Sequence, residues 1–112
     1  MKIAIPTASG VLCNHFGHCE IFTIFEVDEK NKTILTKEEI TPPPHEPGKL
    51  PPWLASHGVN VILTGGMGKR ALDLFDEKGI KVIVGVSADK PEELVEKYMK
   101  KALVGGQNVC DH

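Results

Sequence analysis

Two apolar runs, VNVILTG (59–65) and IKVIVGV (80–86), constrain the fold more than any other feature of the chain. Each is a nearly continuous stretch rich in Val and Ile, the pattern of a strand buried on both faces of a parallel sheet. Between them, MGKRALDLFDEKG (67–79) places Met67, Ala71, Leu74 and Phe75 at i, i+4, i+7 and i+8. That spacing is one face of a helix, and Gly79 suits its C-terminal cap. A strand, a helix and a second parallel strand form a right-handed crossover unit. The chain is therefore expected to build an α/β sheet around this unit.

The remaining segments extend it. KIAI (2–5) reads as a short apolar strand stopped by Pro6, with a loop over 6–19. EIFTIFEV (20–27) and TILTKEEI (33–40) read as a hairpin turning at DEKNK (28–32). TPPPHEPG (41–48) has too few backbone donors for a helix or an inner strand, whereas KLPPWLASHG (49–58) suits a short helix with prolines in its first turn. In the last segment Asp89 and Glu92 are spaced as a capping box, and Leu94, Val95, Tyr98, Met99, Ala102 and Leu103 form an apolar stripe. The expected element order is βββαβαβα, with one domain over 1–104 and a flexible tail over 105–112.

Charge and composition exclude several classes. A formal charge of −2 and a pI near 6.2 offer no basic field for a phosphate backbone, so nucleic acid is not an expected partner. No run of about 18 apolar residues exists to cross a membrane, and MKIAIPTASG is broken at Pro6, unlike a signal peptide. The expected location is the cytoplasm. There, three cysteines, an odd number, suit thiols or metal ligands better than a disulfide framework. No catalytic constellation emerges. The expected strand ends carry Pro6, Thr7, Gly65 and Gly85 rather than paired acids, no C-x-x-C pair is present, and nothing supplies the third member of a cysteine triad. A non-enzyme is the expectation.

Topology then gathers the chemistry. If the first strand points up, the right-handed crossovers bring the loop 6–19, the proline loop with His45, GGMG (65–68) and GVSADK (85–90) to one carboxyl edge. His57 falls at the opposite end. VLCNHFGHCEIF (11–22) sets Cys13, His15, His18 and Cys19 within seven positions around Gly17. Thiolate and imidazole suit zinc, copper or iron–sulfur chemistry, although C-x-H-x-x-H-C is neither a zinc-finger nor a ferredoxin spacing. Two or three of these ligands completed by His45, Cys110 or His112 is the expected metal set; hydrogen-bonded histidines and buried thiols are the plain alternative. GMGKRA (66–71) between a strand and a helix would let backbone N–H groups approach a small anion, with a simple tight turn as the alternative.

HFGHCEIF after the first strand, GGMGKRALDLF after the fourth and GIKVIVGV as the fifth together resemble the dinitrogenase iron–molybdenum cofactor biosynthesis family. Its members are small proteins and carrier domains that hold metal–sulfur cofactors or their precursors. The resemblance implies a ribonuclease-H-like mixed five-stranded sheet of order 3-2-1-4-5. It marks His15, Phe16 and Gly17 as the motif of the first loop and Gly65, Gly66, Met67 and Gly68 as the second. The implied role is non-catalytic binding of an anionic metal–sulfur cluster, iron–sulfur or molybdenum-containing. A soft ligand would hold the metal, with His15 first and Cys19, Cys13 and His18 next, while Lys69 and Arg70 meet the negative charge. A carrier implies a metallocluster donor or acceptor protein as partner, and a monomer or weak homodimer. A mononuclear zinc or copper protein using the same loop, or a metal-free regulatory or interaction domain, are the alternatives.

Overall fold

A computed structural model describes residues 1–13, 19–43 and 48–100. These form β1 (Lys2–Ala8), β2 (Val11–Leu12), β3 (Ile21–Asp28), β4 (Thr33–Ile40), α1 (Leu50–Ser56), β5 (Val61–Leu63), α2 (Lys69–Glu77), β6 (Lys81–Ile83) and α3 (Pro91–Met99). The sheet is mixed and runs β4-β3-β1-β5-β6, with β2 paired to β1 off that path. The five-strand expectation is thus corrected to six strands.

β1 lies at the centre because Ile3, Ala4 and Ile5 are buried on both faces. Ile3 and Ile5 join Phe25, Val27, Val61 and Leu63 under Leu94, Val95 and Met99 of α3. Ala4 turns the other way, to Phe22, Ile24 and Ile62 under Leu54 of α1 and Phe75 of α2. Side chains alternate across a strand, so one apolar run feeds both helical layers. The sheet is parallel from β1 through β5 to β6 and antiparallel from β1 through β3 to β4.

Pro6 does not stop β1, which continues to Ala8. Its position explains why. The parallel ladder with β5 pairs Ile3 with Val61 and Ala4 with Ile62, and beyond it β2 takes the same flank, pairing Thr7 with Leu12 and Ala8 with Val11. Pro6 sits at the changeover. Its carbonyl accepts from the Cys13 N–H at 2.8 Å, on the flank where its own missing N–H would point. Ser9 and Gly10 join β1 to β2 with φ of 54° and 82°, the two positive values of a type I′ turn. The capping box at Asp89 is also corrected. Lys90 is the N-cap of α3 and has no side-chain cap, while the Asp89 carbonyl accepts from Leu12 N–H at 3.0 Å.

β4 is an edge strand, and a bulge shapes it. Glu26 pairs with Thr36 but Val27 with Ile34, so Leu35 is the extra residue. The bulge lets Ile34 pack on the α3-side core and leaves Leu35 59% exposed. Ile34→Ala should therefore cost about 1–2 kcal/mol and Leu35→Ser less than about 0.5 kcal/mol by urea denaturation. The opposite ranking would place the bulge elsewhere.

Lys37 on β4 donates to the Glu92 carboxylate of α3 at 2.7 Å. That hydrogen bond draws Glu92 below the usual carboxylate range and Lys37 above its own. A depressed acid stabilises the fold above its unfolded pKa and loses that contribution as pH falls through the folded one. A raised lysine acts in reverse, at the alkaline end. Both side chains are nearly half exposed, so the effect is small and screened by salt. Glu92→Gln should lower the unfolding midpoint slightly at pH 6, with the gap to wild type closing as pH drops below the carboxylate range.

Candidate functional site

The loop that carries the Cys/His cluster is rooted on β1 at both ends. The Cys13 N–H bonds to the Pro6 carbonyl, and the Glu20 N–H to the Thr7 carbonyl at 3.0 Å. Thr7 pairs with Leu12 on one flank and with Ile21 on the other. Cys13 therefore leaves on one flank of β1 and Glu20 rejoins on the other, both at its carboxyl end. Glu20 adds a tether, accepting from the Ser9 N–H of the β1–β2 turn at 2.7 Å. Cys13 and Cys19 are half-buried at the two ends of the loop, and Cys19 packs against the core under α1 and α2. His15, Phe16, Gly17 and His18 between them, together with His45, Cys110 and His112, lie outside the described residues. Among the described residues no three His, Cys, Asp or Glu side chains converge to hold a metal ion.

The glycine turn is described throughout. Met67 precedes α2 instead of opening it and is fully buried in the α1/α2-side core. It pins the turn from below while Gly68, Lys69 and Arg70 are exposed. Three carbonyls of this turn are hydrogen-bonded. Gly65 accepts from Gly85 N–H at 2.9 Å, Gly66 from the Thr64 hydroxyl at 3.2 Å, and Gly68 from Leu72 N–H at 3.1 Å. The N–H groups of Gly66, Gly68, Lys69 and Arg70 have no hydrogen-bond acceptor among the described residues. α2 begins with no side-chain cap and no acidic residue in its first turn. Helix starts normally recruit a capping oxygen or a carboxylate; this one presents bare donors beside two cations.

Gly68 sharpens the point. Its φ is −66°, which any residue adopts, and a methyl group built there would meet nothing within 4 Å. Neither backbone nor packing requires a glycine. Gly68 is the N-cap of α2, a place where glycine is common.

Charge divides the same edge. On the β3–β4 flank, Glu20 and Glu39 line a groove of about 260 Å³ with Thr7, Ser9 and Ile21. Lys69 and Arg70 stand at the start of α2, after β5. An anion is favoured on the α2 side and disfavoured by the hairpin. A wider hollow of about 640 Å³ lined by Lys32, Lys81, Ile83, Tyr98 and Met99 lies at the other end of the sheet. His57 is at that end too, as expected: its carbonyl accepts from Lys2 Nζ at 3.1 Å. Two features escaped sequence reasoning. One is the β1–β2 hairpin, signalled by Ser9-Gly10 between apolar neighbours; the other is Thr64, a lone hydroxyl in an apolar run.

Comparison with known proteins places this geometry. The chain matches the family described as dinitrogenase iron-molybdenum cofactor over residues 1–101. It belongs to that family. An uncharacterized protein of Methanocaldococcus jannaschii is 37% identical over 86 residues, 73% of this chain and 72% of that one. The crystal structure of PH0822 superposes with a TM-score of 0.86 at 27% identity, covering 94% of each chain. The apo form of the orange protein from Desulfovibrio gigas shares the fold, with a TM-score of 0.75 at 21% identity over 96% of this chain and 93% of that one. Membership ties this protein to small cofactor-associated proteins. Among the described residues no helix is long and apolar enough to cross a membrane.

The turn's departure from ordinary helix-start chemistry has a measurable cost. Lys69→Glu supplies the missing acidic residue and should raise stability by roughly 0.3–1 kcal/mol. Gly68→Ala should change it by less than about 1 kcal/mol, since no contact is disturbed. A large loss in either, read by urea denaturation, would mean that the turn is shaped for stability.

Proposed function

We propose that this protein is a non-catalytic carrier of an anionic metal–sulfur cofactor or cluster, iron–sulfur or iron–molybdenum-cofactor-like, held at the carboxyl edge of a ribonuclease-H-like sheet. One observation carries the reading. The N–H groups of Gly66, Gly68, Lys69 and Arg70 have no acceptor among the described residues, beside the Lys69 and Arg70 cations, on the edge where β1 roots Cys13 and Cys19.

In this reading the cargo's metal takes a soft ligand from the loop, His15 first, then Cys19, Cys13 and His18, with His45 in reach of the same edge. Phe16 and Gly17 shape the loop. Gly65, Gly66, Met67 and Gly68 form the anion-facing turn, and Lys69 and Arg70 neutralise the charge. Residues 1–104 act as the carrier domain, and 105–112 as a tail that brings Cys110 and His112 as further ligands. A carrier hands its cargo to a metallocluster acceptor protein and receives it from a donor. The cytoplasm, where thiols stay reduced, is the compartment that suits this chemistry.

The test is anaerobic purification without a tag, followed by metal and sulfide analysis and a visible spectrum. Iron or molybdenum near stoichiometry, with sulfide and charge-transfer bands, is the expected result. Zinc alone, without sulfide, would turn the reading to a mononuclear site. A colourless, metal-free protein that also fails to take up supplied tetrathiomolybdate overturns it. Where uptake occurs, Lys69→Glu with Arg70→Glu should weaken it about tenfold or more at low salt, and less as ionic strength rises. Gly68→Ala should weaken it as well, with stability little changed.

A further inference from the structure

We propose that the outer edge of β6 is the seam of a weak twofold dimer, in which Val82, Ile83 and Val84 pair antiparallel with the same residues of a second copy of this chain. The inference is independent of the carrier reading.

IKVIVGV (80–86) has the sequence of a strand buried on both faces, yet β6 is the last strand of the sheet. Val82, Ile83 and Val84 are only half-buried there. Val82 and Val84 pack on the α1/α2-side core and Ile83 on the α3-side core, so apolar side chains reach the edge on both faces. The ladder with β5 shows which main-chain groups are left over. The Lys81 N–H bonds to the Asn60 carbonyl, and the Ile83 carbonyl accepts from the Thr64 N–H, both at 3.0 Å. Lys81 and Ile83 thus face β5, and the residues that alternate with them, Val82 and Val84, turn their N–H and C=O groups outward. The other edge of the sheet is guarded. β4 carries exposed Lys37, Glu38 and Glu39 and the bulge at Leu35. β6 has only Lys81, at its start, and that ammonium lies over the Tyr98 ring of α3, 6.0 Å from its centroid.

A second copy fits this edge because Val82-Ile83-Val84 reads the same in both directions. Antiparallel pairing centred on Ile83 sets Val82 of each copy opposite Val84 of the other. These are the outward-facing residues, so each pair exchanges both of its N–H···O bonds, and the two Ile83 side chains meet on the axis. Lys81 falls opposite Gly85 of the other copy. The two lysines then stand about 13 Å apart along the seam, where salt screens most of their repulsion. The two carboxyl edges point in opposite directions, so each copy presents its own glycine turn. A seam this short makes a weak dimer.

The experiment is sedimentation equilibrium of the full chain from about 10 μM to 1 mM, with ¹H–¹⁵N NMR at both ends of that range. The dimer fraction should rise with concentration, and the Val82 and Val84 amide signals should move more than those of Lys81 and Ile83. Val84→Pro removes an N–H that has no acceptor among the described residues and should weaken association about tenfold or more with the far-UV spectrum unchanged. If Val84→Pro does not fold, Val84→Lys, which puts a cation into the seam, gives the same reading. Val84→Thr should keep association within about threefold of wild type. A monomer at every concentration overturns the inference, whether the Val82 and Val84 amides exchange with solvent or are covered by another part of the chain. A dimer that these substitutions leave intact, or in which the two valine amides do not move, uses another surface and overturns it equally.

Discussion

Nearly everything here depends on β1 being hydrogen-bonded along both flanks. One flank runs antiparallel to β3 from Lys2 to Thr7; the other is parallel to β5 at Ile3 and Ala4 and then antiparallel to β2 at Thr7 and Ala8. A strand enclosed in this way must be apolar on both faces, which Ile3, Ala4 and Ile5 provide. Its last residues also become a fixed platform. The Cys13 and Glu20 N–H groups, at the two ends of the Cys/His segment, are bonded to the neighbouring Pro6 and Thr7 carbonyls of that platform.

The second half of the site comes from a different device. The glycine turn is shaped by what it bonds inward, Gly65 to Gly85 and Gly66 to Thr64, with Met67 as an apolar plug below it. Local stability would favour a capping oxygen and an acid in the first turn of α2; the chain has an exposed glycine followed by Lys69 and Arg70. The start of α2 thus forgoes what suits the helix, and the proposed carrier role supplies a reason. The acidic flank at Glu20 and Glu39 gives the edge a direction, so that an anionic body is drawn towards α2 and away from the hairpin.

Much of the fold was legible because periodicity and burial act on the same residues. VILTG and KVIVG announced inner parallel strands, and the stripe Leu94, Val95, Tyr98 and Met99 announced the covering face of α3. The errors have identifiable causes. Pro6 was read as a stop because proline lacks a donor, yet it lies where one partner strand gives way to another and no donor is needed. Asp89 was read as a cap by spacing, but β2 claims its carbonyl and the helix begins one residue later. The bulge at Leu35 left no mark in the alternation, because an edge strand exposed on most of its length has little pattern to break.

The sequence by itself determined the candidate motifs: the Cys/His cluster, the glycine turn and the two cations after it stand together locally in the chain. Chain direction and crossover handedness were enough to send Cys13, Cys19 and the glycine turn to one edge. Only the tertiary structure decided how the turn faces. The direction of a glycine peptide is set by partners far away in the chain, Gly85 for Gly65 and the fixed hydroxyl of Thr64 for Gly66. Glycine carries almost no conformational preference of its own, so that information lies in the packing and cannot be read from the turn.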